Sequence, residues 1–375
     1  MRNGFVAILM MCVACVPVDT ATRDYVPAPQ QIAAEIDRVT DPREIIVLGS
    51  NAASVDRALA AAAPLGYVLL RTVPADPLGV GVRVLQIPEA RAAAEAIREL
   101  EALEPGILAG VNHAFELRDR AGQVTGRRYA GTMLQWPAQG CAARRPIGVI
   151  DAAPEAMQPE TGTPAGPKAS VVLRRFARGR PVSDDHGWLV TDLISDPRLL
   201  QDAPDLRVAD VVGRTLLGGE AASTDAIVAA LAWLHSQDIR LVNVSLAGPY
   251  NKILDRTFAE AAARGMIVVA AAGNEGAASP PRFPAAFPDV IAVTAVDAAG
   301  ASYSRAVRGD HIEVAAPGVD IFTNGRYVSG TSFAAPFVTA FLAAASLEMR
   351  GVDAARAHLT DHVSDGILDL RNTCP

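Results

Sequence analysis

The chain has 375 residues, half of them apolar and 5% aromatic, with four cysteines and a formal charge of −7. That length allows two domains, and so few aromatics mean that small side chains must pack closely. Its acidic balance, with Lys168 and Lys252 the only lysines, gives no basic footprint for nucleic acid, so no partner of that kind is expected.

Residues 1–15 carry one positive charge, Arg2, and then an apolar run over 5–14. That is a secretory leader, too short to span a bilayer. Val13-Ala14-Cys15 is similar to a bacterial lipoprotein box, with Cys12 where Leu is usual. Cys15 is therefore a candidate for lipidation and a membrane tether, with ordinary cleavage nearby as the alternative. The CxxC spacing of Cys12 and Cys15 lies in the leader and carries no redox reading. The expected localisation is export: periplasmic, outer-membrane-anchored or secreted.

Residues 20–42 are polar with prolines and read as a linker. The next stretch predicts a strand at 44–49, a helix at 52–63 starting after Asn51, and strands at 66–73 and 80–87. An amphipathic helix at 89–103 and a strand over 107–117 around Asn112-His113 complete it. The order βαββαβ is that of a small α+β, ferredoxin-like unit. Beyond 147, strands are predicted at 147–151, 171–176, 206–212, 241–246, 266–272 and 290–296, and helices at 224–237, 252–264 and 333–348. This alternation predicts a three-layer α/β domain on a parallel sheet. Thr224-Asp225 is expected to cap one helix and Gly265 to end another.

Four segments carry chemistry. Ser329-Gly330-Thr331-Ser332-Phe333-Ala334-Ala335-Pro336 puts a serine at the start of a buried helix, where unpaired N–H groups favour developing negative charge. Pro336 is expected in the first turn, where a missing N–H costs little. Ile147 to Asp151 reads as a buried strand ending in a carboxylate. Asp185-His186-Gly187-Trp188 offers an imidazole, and Met266 to Asn274 a buried strand ending in an amide. Singly, each has a bland reading: a capped core helix, a turn Asp, a surface His, a turn Asn. Together they supply nucleophile, base, base-orienter and oxyanion donor, the four roles of acyl transfer.

The order Asp, His, Asn, Ser and the local wording IGVID, DHG, AAAGN and GTSFAAP resemble the subtilisin-like serine proteases over about residues 127–347. The resemblance implies a serine endopeptidase acting on polypeptides, with Ser332 as nucleophile, His186 as base, Asp151 as its orienter and Asn274 in the oxyanion hole. It implies that Ser245, Leu246 and Ala247 pair with an extended substrate. Ala271, Ala272 and Gly273 would line the pocket for the residue before the cut, their small side chains implying a roomy apolar pocket with no strong charge preference. It also likens the ferredoxin-like unit to the family's propeptide, a folding aid and groove cap, so the chain's own propeptide is an expected partner. The implied organisation is 1–19 leader, 20–42 linker, 43–118 propeptide-like domain, 119–128 processing junction and 129–375 peptidase domain. Self-cleavage is expected between Gly122 and Tyr129, with a permanently attached N-terminal domain as the alternative. No cofactor and no metal is expected, and the sequence names no ligands for the structural calcium that many relatives hold.

Two departures stand out. Trp188 follows the His motif where the family has small residues, and Ala152 replaces a hydroxyl residue after Asp151. They frame the alternative function, a catalytically weak or inactive peptide-binding module. His358 and His362, four apart, read as a solvated helix end, because the Glu of a zinc-hydrolase motif is missing. Cys141 and Cys374 form a candidate disulfide in an oxidising compartment.

Overall fold

The computed structural model describes residues 39–117, 120–121, 129–153, 171–178, 182, 185–202, 204–214, 219–346 and 348–371. The leader with Cys15, most of the linker and junction, and Cys374 lie outside the described residues.

The N-terminal unit is built from β1 (Glu44–Gly49), α1 (Ala52–Ala62), β2 (Val68–Val73), β3 (Gly81–Gln86), α2 (Ala93–Leu103) and β4 (Leu108–Val111). Its sheet runs β2-β3-β1-β4, antiparallel throughout. Asn51 starts α1 as expected, its side chain accepting the Ser54 N–H at 2.9 Å. Every residue of β1 is buried, because both faces of the sheet are covered. Ile45 and Val47 face the unit's own helices, while Ile46 and Leu48 join the core of the larger domain. Period-two alternation thus sends one strand into two cores.

Beyond Val111 the predicted single strand breaks. Asn112 and His113 turn the chain away, and the short strands β5 (Ala114–Phe115) and β6 (Arg120–Ala121) pair with the larger domain instead. Buried Asn112 stands at the break: its side-chain amide donates to Glu44 Oε2 at 2.9 Å and Asp225 Oδ1 at 3.1 Å, and its backbone carbonyl accepts the Thr40 N–H at 2.8 Å.

The larger domain contains β7 (Ile147–Asp151), β8 (Val171–Arg175), α3 (His186–Ile194), β9 (Leu206–Asp210), β10 (Val212–Arg214), β11 (Glu220–Ser223), α4 (Thr224–Ser236), β12 (Leu241–Val244) and α5 (Lys252–Ala263). It continues with β13 (Ile267–Ala271), β14 (Val290–Val296), β15 (Val314–Pro317), β16 (Ile321–Thr323), β17 (Arg326–Ser329), α6 (Thr331–Ala344), α7 (Gly351–Thr360), β18 (Val363–Ser364) and β19 (Ile367–Leu368). Among the described residues a nine-stranded sheet runs β18-β19-β15-β14-β13-β12-β7-β9-β8, parallel except at β18–β19. The long apolar helix α6 packs across β12 to β15 and against α3; α4 and α5 cover the other face and carry the N-terminal unit on their outer side. Strand order reverses at β7, so Asp151 ends that strand at the crevice where α/β sheets place their sites.

Several expectations need correction. α6 begins at Thr331 and not at 333, so Pro336 lies inside the helix, past its first turn. Its missing N–H would have bonded the Ser332 carbonyl; the Ser245 hydroxyl donates to that carbonyl instead, at 3.2 Å. Thr224 does not cap α4 with its side chain; Ser223 holds the cap position. Thr224 Oγ1 accepts from the Asn251 amide at 3.2 Å. Gly265 does end α5, with φ 77°. β15 went unpredicted because Val-Ala-Ala-Pro carries little strand signal, although all four residues are buried. His358 and His362 are not a solvated helix end: the His358 ring stacks on Phe341 with centroids 4.8 Å apart, and His362 lies 5.0 Å from the same ring.

Where the N-terminal unit meets α4, a charged cluster forms around the buried carboxylates of Glu44 and Asp225. Arg71 holds Glu44 through two bonds of 2.7 Å and Asp225 at 2.8 Å, and Arg178 bonds Glu44 at 2.9 and 3.0 Å. Burial alone would raise the Glu44 carboxyl. Hydrogen bonds from Arg71, Arg178 and Asn112 outweigh it and hold the group at about 2.

Candidate active site

Asp151 Oδ1 accepts the Ala152 N–H at 2.7 Å and lies 2.7 Å from His186 Nδ1. That contact puts the Nδ1 proton toward the carboxylate and turns Nε2 to the other side of the ring. Asp151 is fully buried and His186 is 4% exposed. His186 opens α3, and Gly187 lets that helix come close to β7: a Cβ at 187 would stand 1.9 Å from the Ala152 carbonyl oxygen. Asp210, opposite Asp151 on β9, holds the next turn residue by accepting the Ala153 N–H at 3.3 Å. Burial pushes Asp210 up to about 6, although the Arg175 guanidinium beside it pulls the other way.

Ser332 is the second residue of α6, and its Oγ lies 3.4 Å from the Ser245 carbonyl oxygen. The next residue, Phe333, lays its ring 5.3 Å from the His186 imidazole, so the helix start abuts the base. The Asn274 Oδ1 accepts from the Thr331 N–H at 3.0 Å and the Thr331 hydroxyl at 3.1 Å. Two donors on one oxygen fix the amide's orientation and direct its NH2 group the opposite way. Thr331 Oγ1 also accepts the Gly273 N–H at 3.1 Å, tying the strand end to the helix start. A buried relay backs Ser245: Thr339 donates to Asn243 Oδ1 at 3.0 Å, and Asn243 donates to Ser245 Oγ at 2.9 Å.

Sequence reasoning named Asp151, His186, Asn274 and Ser332 but missed Thr331, Thr339 and Asn243. The signal for Thr331 was present in its place one residue before Ser332. For the other two, only the pairing of β12 with α6 reveals the link. Trp188 is half-buried against the apolar cluster under α6, and the Asp151–His186 contact stands intact beside it.

Of the substrate-strand residues, Leu246 is fully buried and points into the core, leaving its backbone for pairing. Ala247 exchanges two backbone bonds with Glu116, at 3.0 and 3.2 Å. Ala271 and Ala272 are buried, and Gly273 takes φ 103°. Beside Gly273 stand the Glu275 carboxylate and Arg282, 3.5 Å apart, a charged pair that the expectation of an uncharged pocket did not include.

A carboxylate, an imidazole, a serine at a helix N-terminus and an oriented amide at the carboxyl ends of parallel strands define an α/β protein built like a serine hydrolase. The model of the Subtilase family matches residues 181–357, the span holding His186, Asn274 and Ser332. Subtilisin from Bacillus pumilus is 38% identical over 122 residues, 30% of this chain and 44% of its own length. The minor extracellular protease Epr of Bacillus subtilis is 32% identical over 150 residues, 38% of this chain and 23% of the relative. The alkaline protease of Alkalihalobacillus alcalophilus is 29% identical over 212 residues, 53% and 54% of the two lengths. The chain thus spans from about a quarter to about half of these relatives. The crystal structure of fervidolysin from Fervidobacterium pennivorans, a keratinolytic enzyme related to subtilisin, superposes with a TM-score of 0.65 at 20% identity, over 88% of this chain and 60% of that one. It shares the fold.

Proposed function

We propose that the chain is a serine endopeptidase that hydrolyses polypeptides through a Ser332 acyl-enzyme. Ser332 Oγ attacks the scissile carbonyl, and His186 takes its proton and returns it to the leaving amine. Asp151 holds the imidazole tautomer and stabilises the imidazolium. The Asn274 amide and the Ser332 backbone N–H stabilise the oxyanion. Ser245, Leu246 and Ala247 pair with the extended substrate backbone, and Ala271, Ala272 and Gly273 border the residue before the cut. No cofactor enters this scheme. The observation that carries it is the 2.7 Å Asp151–His186 contact beside a helix whose second residue is Ser332.

The test is cleavage of an unfolded polypeptide by the purified chain and by Ser332→Ala, His186→Ala and Asp151→Asn. Each substitution is expected to lower kcat by about 10⁴-fold or more. Wild-type activity no higher than that of Ser332→Ala would leave the peptide-binding module as the reading.

The remaining features extend this proposal. The unit at 43–118 acts as a propeptide that the enzyme removes from itself. The leader supports export with lipid on Cys15, which metabolic labelling with a fatty acid would detect. Cys141 is 2% exposed and not free, and the Leu370 N–H bonds the Leu134 carbonyl at 2.8 Å, bringing the chain end beside the segment that leads to Cys141. This supports a bond to Cys374.

A further inference from the structure

Two walls bound the pocket for the residue before the cut: the substrate strand at 245–247 and the strand end at 271–273. One residue past the first wall, Gly248 exchanges two backbone bonds with Phe283, at 2.9 and 3.0 Å. Arg282, the residue before Phe283, is thereby held against that wall and is 4% exposed. It also reaches the second wall. A Cβ at Gly273 would stand 3.0 Å from Arg282 Cγ, 2.7 Å from Glu275 Oε2 and 3.2 Å from Val307 Cγ2. Val307 is fixed there, its N–H donating to the Gly273 carbonyl at 3.0 Å. Glu275 Oε1 lies 3.5 Å from Arg282 Nε, and both side chains are a tenth exposed or less. The space beside Gly273 is therefore filled by one aliphatic side chain and a buried ion pair.

Resting on the protease reading above, we propose that the Arg282–Glu275 pair plugs this pocket, so that the enzyme cuts after small uncharged residues such as alanine, glycine and serine. A large side chain would meet Arg282, Glu275 and Val307 where it needs room. A charged one would meet a like charge in either case: a carboxylate faces Glu275, and an ammonium faces Arg282, at low dielectric. Drawing the pair apart to make room would leave each ion buried without the other, which is costly. Ala271 and Ala272 are small, yet they form only a wall. The floor comes from later in the chain, which is why the local run of alanines suggested a roomy pocket.

Thioesters of N-acetylated alanine, phenylalanine, glutamate and lysine test this on the purified full chain. Each reaches the oxyanion site and the pocket without needing the paired strand. Cleavage of an unfolded polypeptide, with the new C-termini read by mass spectrometry, runs alongside. Wild type is expected to show kcat/KM for alanine at least about tenfold above each of the other three, and new C-termini that are mainly alanine, glycine and serine. Arg282→Ala leaves the Glu275 carboxylate alone and should raise the lysine-to-alanine ratio about tenfold or more; Glu275→Ala should do the same for glutamate. The double variant opens the floor and should raise the phenylalanine-to-alanine ratio by a similar factor. A loss of packing alone would not shift the ratios by charge in this way. A wild type that accepts phenylalanine, glutamate or lysine as well as alanine, or ratios that stay put in folded variants, overturns the plug and leaves the protease reading standing. The wild-type preference alone decides the matter should a variant fail to fold. A wild type that turns over neither the thioesters nor the polypeptide removes both.

Discussion

Gly187→Ala should abolish the proposed peptidase activity while leaving every proposed catalytic side chain in the sequence. The added methyl would sit 1.9 Å from the Ala152 carbonyl oxygen and 3.0 Å from Asp151 Cβ. To reach an ordinary carbon–oxygen approach of about 3.3 Å, α3 must withdraw from β7 by about 1.4 Å. His186 rides on the first residue of α3, so its 2.7 Å contact with Asp151 would lengthen beyond hydrogen-bond range. A misplacement of about 1 Å costs on the order of 10²-fold in rate. Overpacking adds about 1–3 kcal/mol of instability. The assay is kcat/KM on a peptide substrate, with urea unfolding measured in parallel to separate loss of fold from loss of alignment. The expected result is a hundredfold loss in protein that is still folded. A loss below about threefold would refute the argument that Gly187 sets the helix–strand distance.

Thr331→Val removes the hydroxyl that orients the Asn274 amide and accepts the Gly273 N–H. It should lower kcat by about tenfold with KM little changed, less than the roughly 10²–10³-fold expected for Asn274→Ala. Uncut Ser332→Ala chain should lose stability on acidification, read as melting temperature between pH 7 and 3. Burial, aided by the Arg282 charge, lowers His113 to about 4. The unfolded chain protonates first, so His113's share is complete above about 6.5 and lost as pH falls toward 4. Glu44, held at about 2, contributes above about 4.5 and loses that share as pH falls toward 2. Asp210, raised to about 6, acts with the opposite sign, so the comparison is between variants: His113→Asn flattens the upper window and Glu44→Gln the lower. Cys141→Ser should cost about 2–5 kcal/mol in oxidised protein and nothing after reduction, checked by thiol titration and unfolding.

The site was legible because each chemical group sits at the end of an element with a strong local signal. Val149-Ile150-Asp151 and Ala271-Ala272-Gly273-Asn274 are apolar runs that stop at a polar residue, and Gly330-Thr331-Ser332 is a turn before an apolar helix. What supports these groups was not legible. Asn243 donating to Ser245, Thr339 donating to Asn243, and the Ser245 hydroxyl replacing the Pro336 N–H all join residues far apart in the chain. The same limit hid the Glu44–Arg71–Asp225 cluster, where helix chemistry suggested that Asp225 would cap α4. Tertiary charge pairing claimed it. Trp188 looked disruptive by comparison with small residues, yet a half-buried seat on the apolar cluster accommodates it. The pairing of Ala114-Phe115 with β11, of Glu116 with Ala247 and of Arg120-Ala121 with β17 carries no local signal in those residues.

The most direct test is a fluorophosphonate probe applied to the purified chain, with the adduct located by peptide mapping. A single adduct on Ser332, formed rapidly in wild type and at least about 10³-fold more slowly in His186→Ala, is the predicted result. An unlabelled wild type, or labelling that ignores the loss of His186, would contradict a hydroxyl activated by this imidazole.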